Sequence, residues 1–233
     1  MALATRHEYL YMAKLADQAG RYEDTITFME TLVIGFIPAG DEPTLEERNL
    51  LFSAYKNLAS PLRDALQVIS KDTDNKKKEL HVRYRSKIES KLSELCARIM
   101  KLLCLHLMPK ASTDESKVFY FKMAGDYQRY MIEFKSERER MEAAMKAKAS
   151  YVAAEKIAED RLEPVHPTRL SLMLNFAVLY HDILHEPEYA CSMAREAYEM
   201  AAAHRPITRR DEGVVLSVMQ LLKDNYSRWV SDI

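Results

Sequence analysis

Apolar residues return every three or four positions along almost the whole chain, which is the spacing of one face of an α-helix. A first pattern covers 7–19 and stops at Gly20, and a second covers 22–34 before the loop 35–43 (GFIPAGDEP). Thr44 followed by Glu47 forms a capping box, whose hydroxyl and carboxylate satisfy free N–H groups where a third helix starts; it runs to about Ser70. The polar run 71–78 (KDTDNKKK) separates it from a long fourth helix, 79–107, which Pro109 closes. Ser112 with Glu115 repeats the start signal for a fifth helix through about Lys135. The charged, alanine-rich segment 136–149 is expected to be a solvated helix or a loose connection. Further helices are expected over 150–160, 167–184, 187–204 and 212–229, with Pro164, Pro167, Pro187 and Pro206 at the joints, where proline costs least. The expectation is an all-α bundle of about nine antiparallel helices, forming a single domain over 1–233.

Composition narrows this further. With 5 Gly and 8 Pro in 233 residues, the chain lacks the frequent turns that a sandwich or barrel requires. Lys+Arg 34 against Asp+Glu 35 gives a net charge of -1, so bulk charge points to neither nucleic acid nor a membrane surface, and any anion site must come from local placement. Cys96, Cys104 and Cys191 contain no CxxC and leave an odd thiol, which fits a reducing compartment, the cytoplasm or nucleus. Cys96 and Cys104 are both expected to be buried as small apolar residues. The opening MALATRHEYLYM shows no signal-peptide pattern, and no stretch approaches the length of a membrane span.

Two constellations could carry chemistry. In RNLLFSAYKNLASPLRDAL, Lys56 and Arg63 are seven apart and project from one helix face. In KVFYFKMAGDYQRYMIEF, Arg129 and Tyr130 are adjacent, with Asp126 three residues earlier and able to hold the arginine's fork. A lysine, two arginines and a phenol make a donor set for a phosphate dianion, because guanidinium matches phosphate oxygens in pairs. Spacing alone does not bring the third and fifth helices together, so four unrelated surface residues are the alternative. The second constellation is polar residues in apolar stripes: Asn175 near Leu174 and Val178 with Asp182 two turns on, and Asn225 on a face with Val218, Leu221, Leu222 and Trp229. An amide can pair with the N–H and C=O of an extended peptide, or simply satisfy the core.

The strings RNLLFSAYKN, KVFYFKMAGDYQRY, LNFAVLYHDI and MQLLKDNYSRW resemble, in order and spacing, four signature segments of the 14-3-3 family; AKLADQAGRYED resembles its first helical hairpin. The resemblance covers about 5–232. It implies a nine-helix dimer with a concave groove in each subunit that binds phosphoserine or phosphothreonine segments of client proteins, an adaptor and not an enzyme, with no cofactor and no metal. Matched residue by residue, Lys56, Arg63, Arg129 and Tyr130 would hold the phosphate. Asn175 and Asn225 would clamp the client backbone, flanked by Asp182 and Trp229, while Lys122, Leu174, Val178, Val218 and Leu221 would line the groove.

Departures from the family pattern accompany the match. Leu62 and Gln67 stand where the family has arginines, Leu66 stands for an aromatic, Pro61 lies inside the third helix, Ser171 replaces a glycine, and Ser217 and Arg228 replace apolar groove residues. At the implied dimer edge Asp24 and Lys87 keep opposite signs, but Arg21 now faces Lys91, so a homodimer weaker than usual is expected, carried by Leu15, Ala16, Val68 and Tyr84. Ala65 removes a serine that some members phosphorylate.

Three other readings compete. AKLADQAGRYEDTITFMETL and PEYACSMAREAYEMA have tetratricopeptide-like spacing but no persistent 34-residue period, which leaves a phosphate-independent helical scaffold as the alternative function. His181 and His185 at i, i+4 resemble half of a helical zinc site, but Asp182 stands where a zinc hydrolase has Glu. Asp72-x-Asp74-Asn75 lacks the glycine and closing glutamate of a calcium loop. The thirteen methionines are expected as core filler.

Overall fold

A computed structural model describes all residues except 1–4, 39, 72–77, 134, 136 and 205–208, so the Asp72–Asn75 segment and Pro206 lie outside the described residues. The described elements are helical: α1 (Arg6–Gln18), α2 (Tyr22–Gly35), α3 (Leu45–Ser70), α4 (Lys78–Leu102), α5 (Asp114–Ile132), α6 (Glu137–Arg161), α7 (Pro167–Asp182), α8 (Pro187–Ala202) and α9 (Arg209–Trp229). They gather into two compact units, one through Ser112 and one from Thr113.

In the first unit, local chemistry sets the helix ends. Thr5 and Glu8 form a capping box at α1, and Thr44 and Glu47 form the expected one at α3. Gly20 takes φ +70°, a left-handed conformation that lets the Arg21 N–H reach back to the Ala16 carbonyl and turn the chain into α2. Pro61 does not break α3, which runs unbroken past it. The core is built from Ile26, Met29 and Leu32 of α2, Leu51 and Tyr55 of α3, and Leu92 and Ile99 of α4.

Polar ties cross this core. Arg6 grips the buried Glu47 with two bonds of 2.7 and 2.6 Å. Burial pushes the Glu47 carboxyl up, but the Arg6 bond and the Thr44 backbone N–H outweigh it and hold the group below the usual carboxylate range. Arg98 donates to Glu30 at 2.8 Å and to Glu23 at 2.6 Å, while the Tyr55 hydroxyl donates to the other oxygen of Glu30.

Several expectations change here. The fourth helix is α-helical only to Leu102; residues Leu103–Leu107 form a π turn and Met108–Lys110 a 3-10 turn. Pro109 has no N–H for the Leu105 carbonyl and its ring crowds that carbonyl, so the last turn widens. The widened turn leaves Cys104 exposed, contrary to the buried position expected of it, whereas Cys96 is buried. Thr113 caps α5, one residue later than expected, accepting from the Ser116 N–H at 3.1 Å; Ser112 instead donates to Glu42.

In the second unit the segment expected as a solvated helix or a loose connection is helix, and it runs without a break into the next as α6, from 137 to 161. Ala143, Ala147, Tyr151, Ala154 and Ala158 are buried along one side. They repeat at intervals of three and four, an apolar stripe made almost wholly of methyl groups, which lets α6 lie close against α5. The stripe continues into the core of Leu172, Phe176 and Leu179 from α7, Ala190 and Ala194 from α8, and Val215, Leu222 and Trp229 from α9.

Candidate functional site

In the second unit, α5 presents Lys122, Asp126, Arg129 and Tyr130 over two helical turns, and the centre of what they build is Asp126, 3% exposed. Its Oδ2 accepts from Lys122 Nζ at 2.7 Å. Its Oδ1 accepts from the Tyr151 hydroxyl at 2.6 Å and from Asn175 Nδ2 at 2.7 Å. The Tyr151 oxygen in turn accepts from Arg129 Nε at 3.4 Å. Asp126 therefore does not hold the arginine's fork directly, as expected, because the Tyr151 hydroxyl lies between them.

Tyr151 reaches this position because Gly125 has no side chain. A Cβ on Gly125 would lie 2.5 Å from the Tyr151 ring. Neither residue stood out in the sequence. Tyr151 follows directly on the alanine-rich segment 136–149, near the start of the helix expected over 150–160, and a mid-helix glycine carries no chemical signal. Their only sequence trace is the 143-147-151 spacing.

The charges of this cluster are coupled. Burial pushes the Asp126 carboxyl up, but Lys122 and Arg129 pull it further down, so it stays ionised below its ordinary range. Burial and the neighbouring Asp126 carboxylate both push the Tyr151 phenol up, so it remains a donor. Burial alone would lower Arg129, yet Tyr151 and Asp126 hold it above its ordinary value. Two cations, Lys122 and Arg129, thus bear on the one buried carboxylate of Asp126. The Arg129 guanidinium also lies 5.2 Å from the centre of the Tyr130 ring.

Asn175 joins this cluster from α7 through its amide N–H, which leaves its carbonyl oxygen and second hydrogen for another partner. Leu174 and Val178 on α7 and Val218 on α9 are partly buried against the core, and Leu221 is 50% exposed. The single face expected on α9 divides in two. Val215, Leu222 and Trp229, seven apart, are buried, whereas Val218, Leu221 and Asn225 are rotated away from that line and stay partly or fully exposed. Asn225 Oδ1 accepts from Arg228 Nη2 at 2.6 Å.

At the ends of α7 and α9 the His181 ring stacks on Trp229, with centroids 4.6 Å apart and planes at 15°. His181 Nδ1 lies 2.7 Å from the exposed Asp182 Oδ1. The helix ends at Asp182, and His185 beyond it has φ +56°, so the two histidines do not form the i, i+4 pair that a helical zinc site requires.

In the first unit, Lys56 is exposed and Arg63 half-buried, two turns apart on α3. The residues matched to the dimer edge also lie there. Leu15, Val68 and Tyr84 are 47%, 70% and 60% exposed, Ala16 is buried, and Lys87 and Lys91 are exposed. Arg21, just before α2, donates to Asp24 in its first turn, so this pair is already neutralised inside one chain.

Comparison with known proteins covers both units. The family model described as 14-3-3 protein matches residues 12–230. The chain is 50% identical to 14-3-3-like protein G-BOX factor 14 kappa of Arabidopsis thaliana, over 98% of this chain and 95% of that protein. It is 49% identical to the lambda counterpart from the same plant, over 98% and 95%. It is also 49% identical to 14-3-3 protein 10 of Solanum lycopersicum, over 98% and 93%. No helix among the described residues is long and apolar enough to cross a membrane. Matched from residue 12 to residue 230, with helical elements throughout the described part, the chain belongs to the 14-3-3 family.

Proposed function

We propose that this chain is an adaptor that binds phosphoserine or phosphothreonine segments of client proteins, without catalysing a reaction. The observation that carries this reading is the pair of cations, Lys122 and Arg129, gathered on the buried Asp126. Two cations held this close repel each other, and an anion bound beside Arg129 would relieve that repulsion. Lys56, Arg63, Arg129 and Tyr130 are the proposed phosphate ligands. Asn175 and Asn225 would hold the client backbone, with Lys122, Leu174, Val178, Asp182, Val218, Leu221 and Trp229 around it. The family match across both units supports treating 1–233 as one domain and leaves no support for the tetratricopeptide-like alternative. Proposed partners are phosphorylated proteins, neither nucleic acid nor membrane, in the cytoplasm or nucleus.

The test is a set of fluorescent peptides in phosphorylated and unphosphorylated versions, titrated by polarisation. Phosphorylation should tighten binding at least about a hundredfold, since the phosphate adds two or more charge-assisted bonds. Equal affinities would refute the reading.

A homodimer through the first unit is part of the proposal. Exposed Leu15, Val68 and Tyr84 supply its apolar surface, and the Arg21–Asp24 pair within one chain mutes the repulsion expected between Arg21 and Lys91. Sedimentation at micromolar concentration should therefore show a dimer that survives 0.5 M salt, roughly five times the ionic strength at which the Debye length is about 10 Å. A monomer at every concentration would exclude it.

A further inference from the structure

The least expected contact on α9 is the one between Arg228 and Asn225. An arginine four residues after an aspartate on a helix ordinarily pairs with it. Asp224 offers that position to Arg228, yet its Oδ1 accepts from Gln220 Nε2 at 2.7 Å, on the side away from Arg228. Arg228 turns instead to the neutral Asn225 carbonyl at 2.6 Å. The carboxylate at the adjoining end of α7, Asp182, has its Oδ1 against His181. Arg228 thus has no carboxylate partner among the described residues, although it is exposed.

Helix geometry says where that charge stands. Leu221 and Arg228 are seven residues apart, two turns of one stripe, and Asn225 lies beside that stripe on the side of Val218. The guanidinium is therefore held on the face that carries the proposed client contacts, one turn past the amide that would clamp the client backbone. It also occupies the oxygen with which Asn225 would accept a client N–H. A client without a negative group there must displace Arg228 from Asn225 and leave the guanidinium with nothing in return. A client carboxylate can instead take the guanidinium's paired N–H groups and free Asn225 in the same movement.

We infer that Arg228 is a specificity-determining residue that selects phosphorylated clients carrying an acidic side chain next to the backbone held by Asn225. The inference rests on the phosphopeptide reading and adds the client class to it. The test uses fluorescent phosphoserine peptides in which one glutamate is moved through the five positions on either side of the phosphoserine, with alanine and lysine versions at each position. At one or two neighbouring positions the glutamate peptide should bind about three- to tenfold tighter than the alanine peptide, and the lysine peptide should be the weakest. Arg228→Leu should bring the glutamate-to-alanine ratio to one, and Arg228→Glu should invert it so that lysine is preferred. A merely structural role for Arg228 would change all peptides alike and would not invert the preference. Phosphopeptide binding with no glutamate preference, or a preference that survives Arg228→Glu, overturns this inference alone. Equal binding of phosphorylated and unphosphorylated peptides overturns the functional reading and the inference together.

Discussion

Arg63→Glu should weaken phosphopeptide binding by roughly a hundredfold or more while leaving the melting temperature within a few degrees of wild type. Arg129→Glu should abolish binding and lower the melting temperature as well. Both follow from the charge of the ligand. One charge-assisted bond contributes about 1.5–3 kcal/mol, which is ten- to a hundredfold in affinity, and a carboxylate in place of the guanidinium adds repulsion against a phosphate of nearly two negative charges. The two variants part on stability because their surroundings differ. Arg63 is half-buried on α3 and is not among the groups that hold the buried Asp126. Arg129 donates to the Tyr151 hydroxyl and helps keep the buried Asp126 ionised, so a glutamate there would set a second carboxylate against it. Lys71→Glu, outside the proposed ligands, is the control for charge alone. Polarisation titrations and thermal melts of the three variants measure both effects. If Arg129→Glu binds phosphopeptides like wild type, the proposed ligand set is wrong.

Asp126→Ala is the second large effect. Three bonds end on this one carboxylate, from Lys122, Tyr151 and Asn175. Removing it takes from the buried Lys122 and the neighbouring Arg129 the carboxylate they both bear on, and from the Tyr151 hydroxyl its acceptor. Breaking a buried pair by deleting one partner costs about 3–5 kcal/mol. In a chain of this size that lowers the melting temperature by roughly 10 °C. Binding should fall too, because Lys122, Asn175 and Arg129 lose the group that orients them. Asp126→Asn keeps an acceptor and the shape but not the charge, so its loss should be smaller.

The same residue carries a pH signature. The Asp126 carboxyl lies below its unfolded value, near 4, so the folded state binds fewer protons than the unfolded one between the two values. Its contribution is complete above that unfolded value and is lost as pH falls through the folded one. Glu47, held low by Arg6, adds to the loss in the same direction. The stability of wild type should therefore fall below about pH 4, and Asp126→Ala should flatten that fall. An acid profile with the same slope in both proteins would show that Asp126 is not the group responsible.

Local chemistry in the amino-acid sequence was enough for the helices with strong ends: Thr44 with Glu47, Gly20 between two periodic runs, and proline at the first position of α7 and of α8. These signals act within four or five residues, so no tertiary partner is needed to read them. The sequence also carried the residue types of the site, because Arg129, Tyr130, Asn175 and Asn225 stand in strings that resemble one family. Contacts distant in the chain decided the rest. Alanine is apolar enough to pack and small enough to be overlooked, so the buried face of α6 became visible only once α5 lay against it. Asp126 could be seen beside Arg129, but two of its three partners come from 25 and 49 residues away, and Gly125 matters only because the Tyr151 ring presses on it. The division of α9 into a buried line through Leu222 and Trp229 and an outer stripe with Leu221 and Arg228 had the same origin. Periodicity gives the angles of side chains around a helix, but only the packing of its neighbours says which angle faces the core.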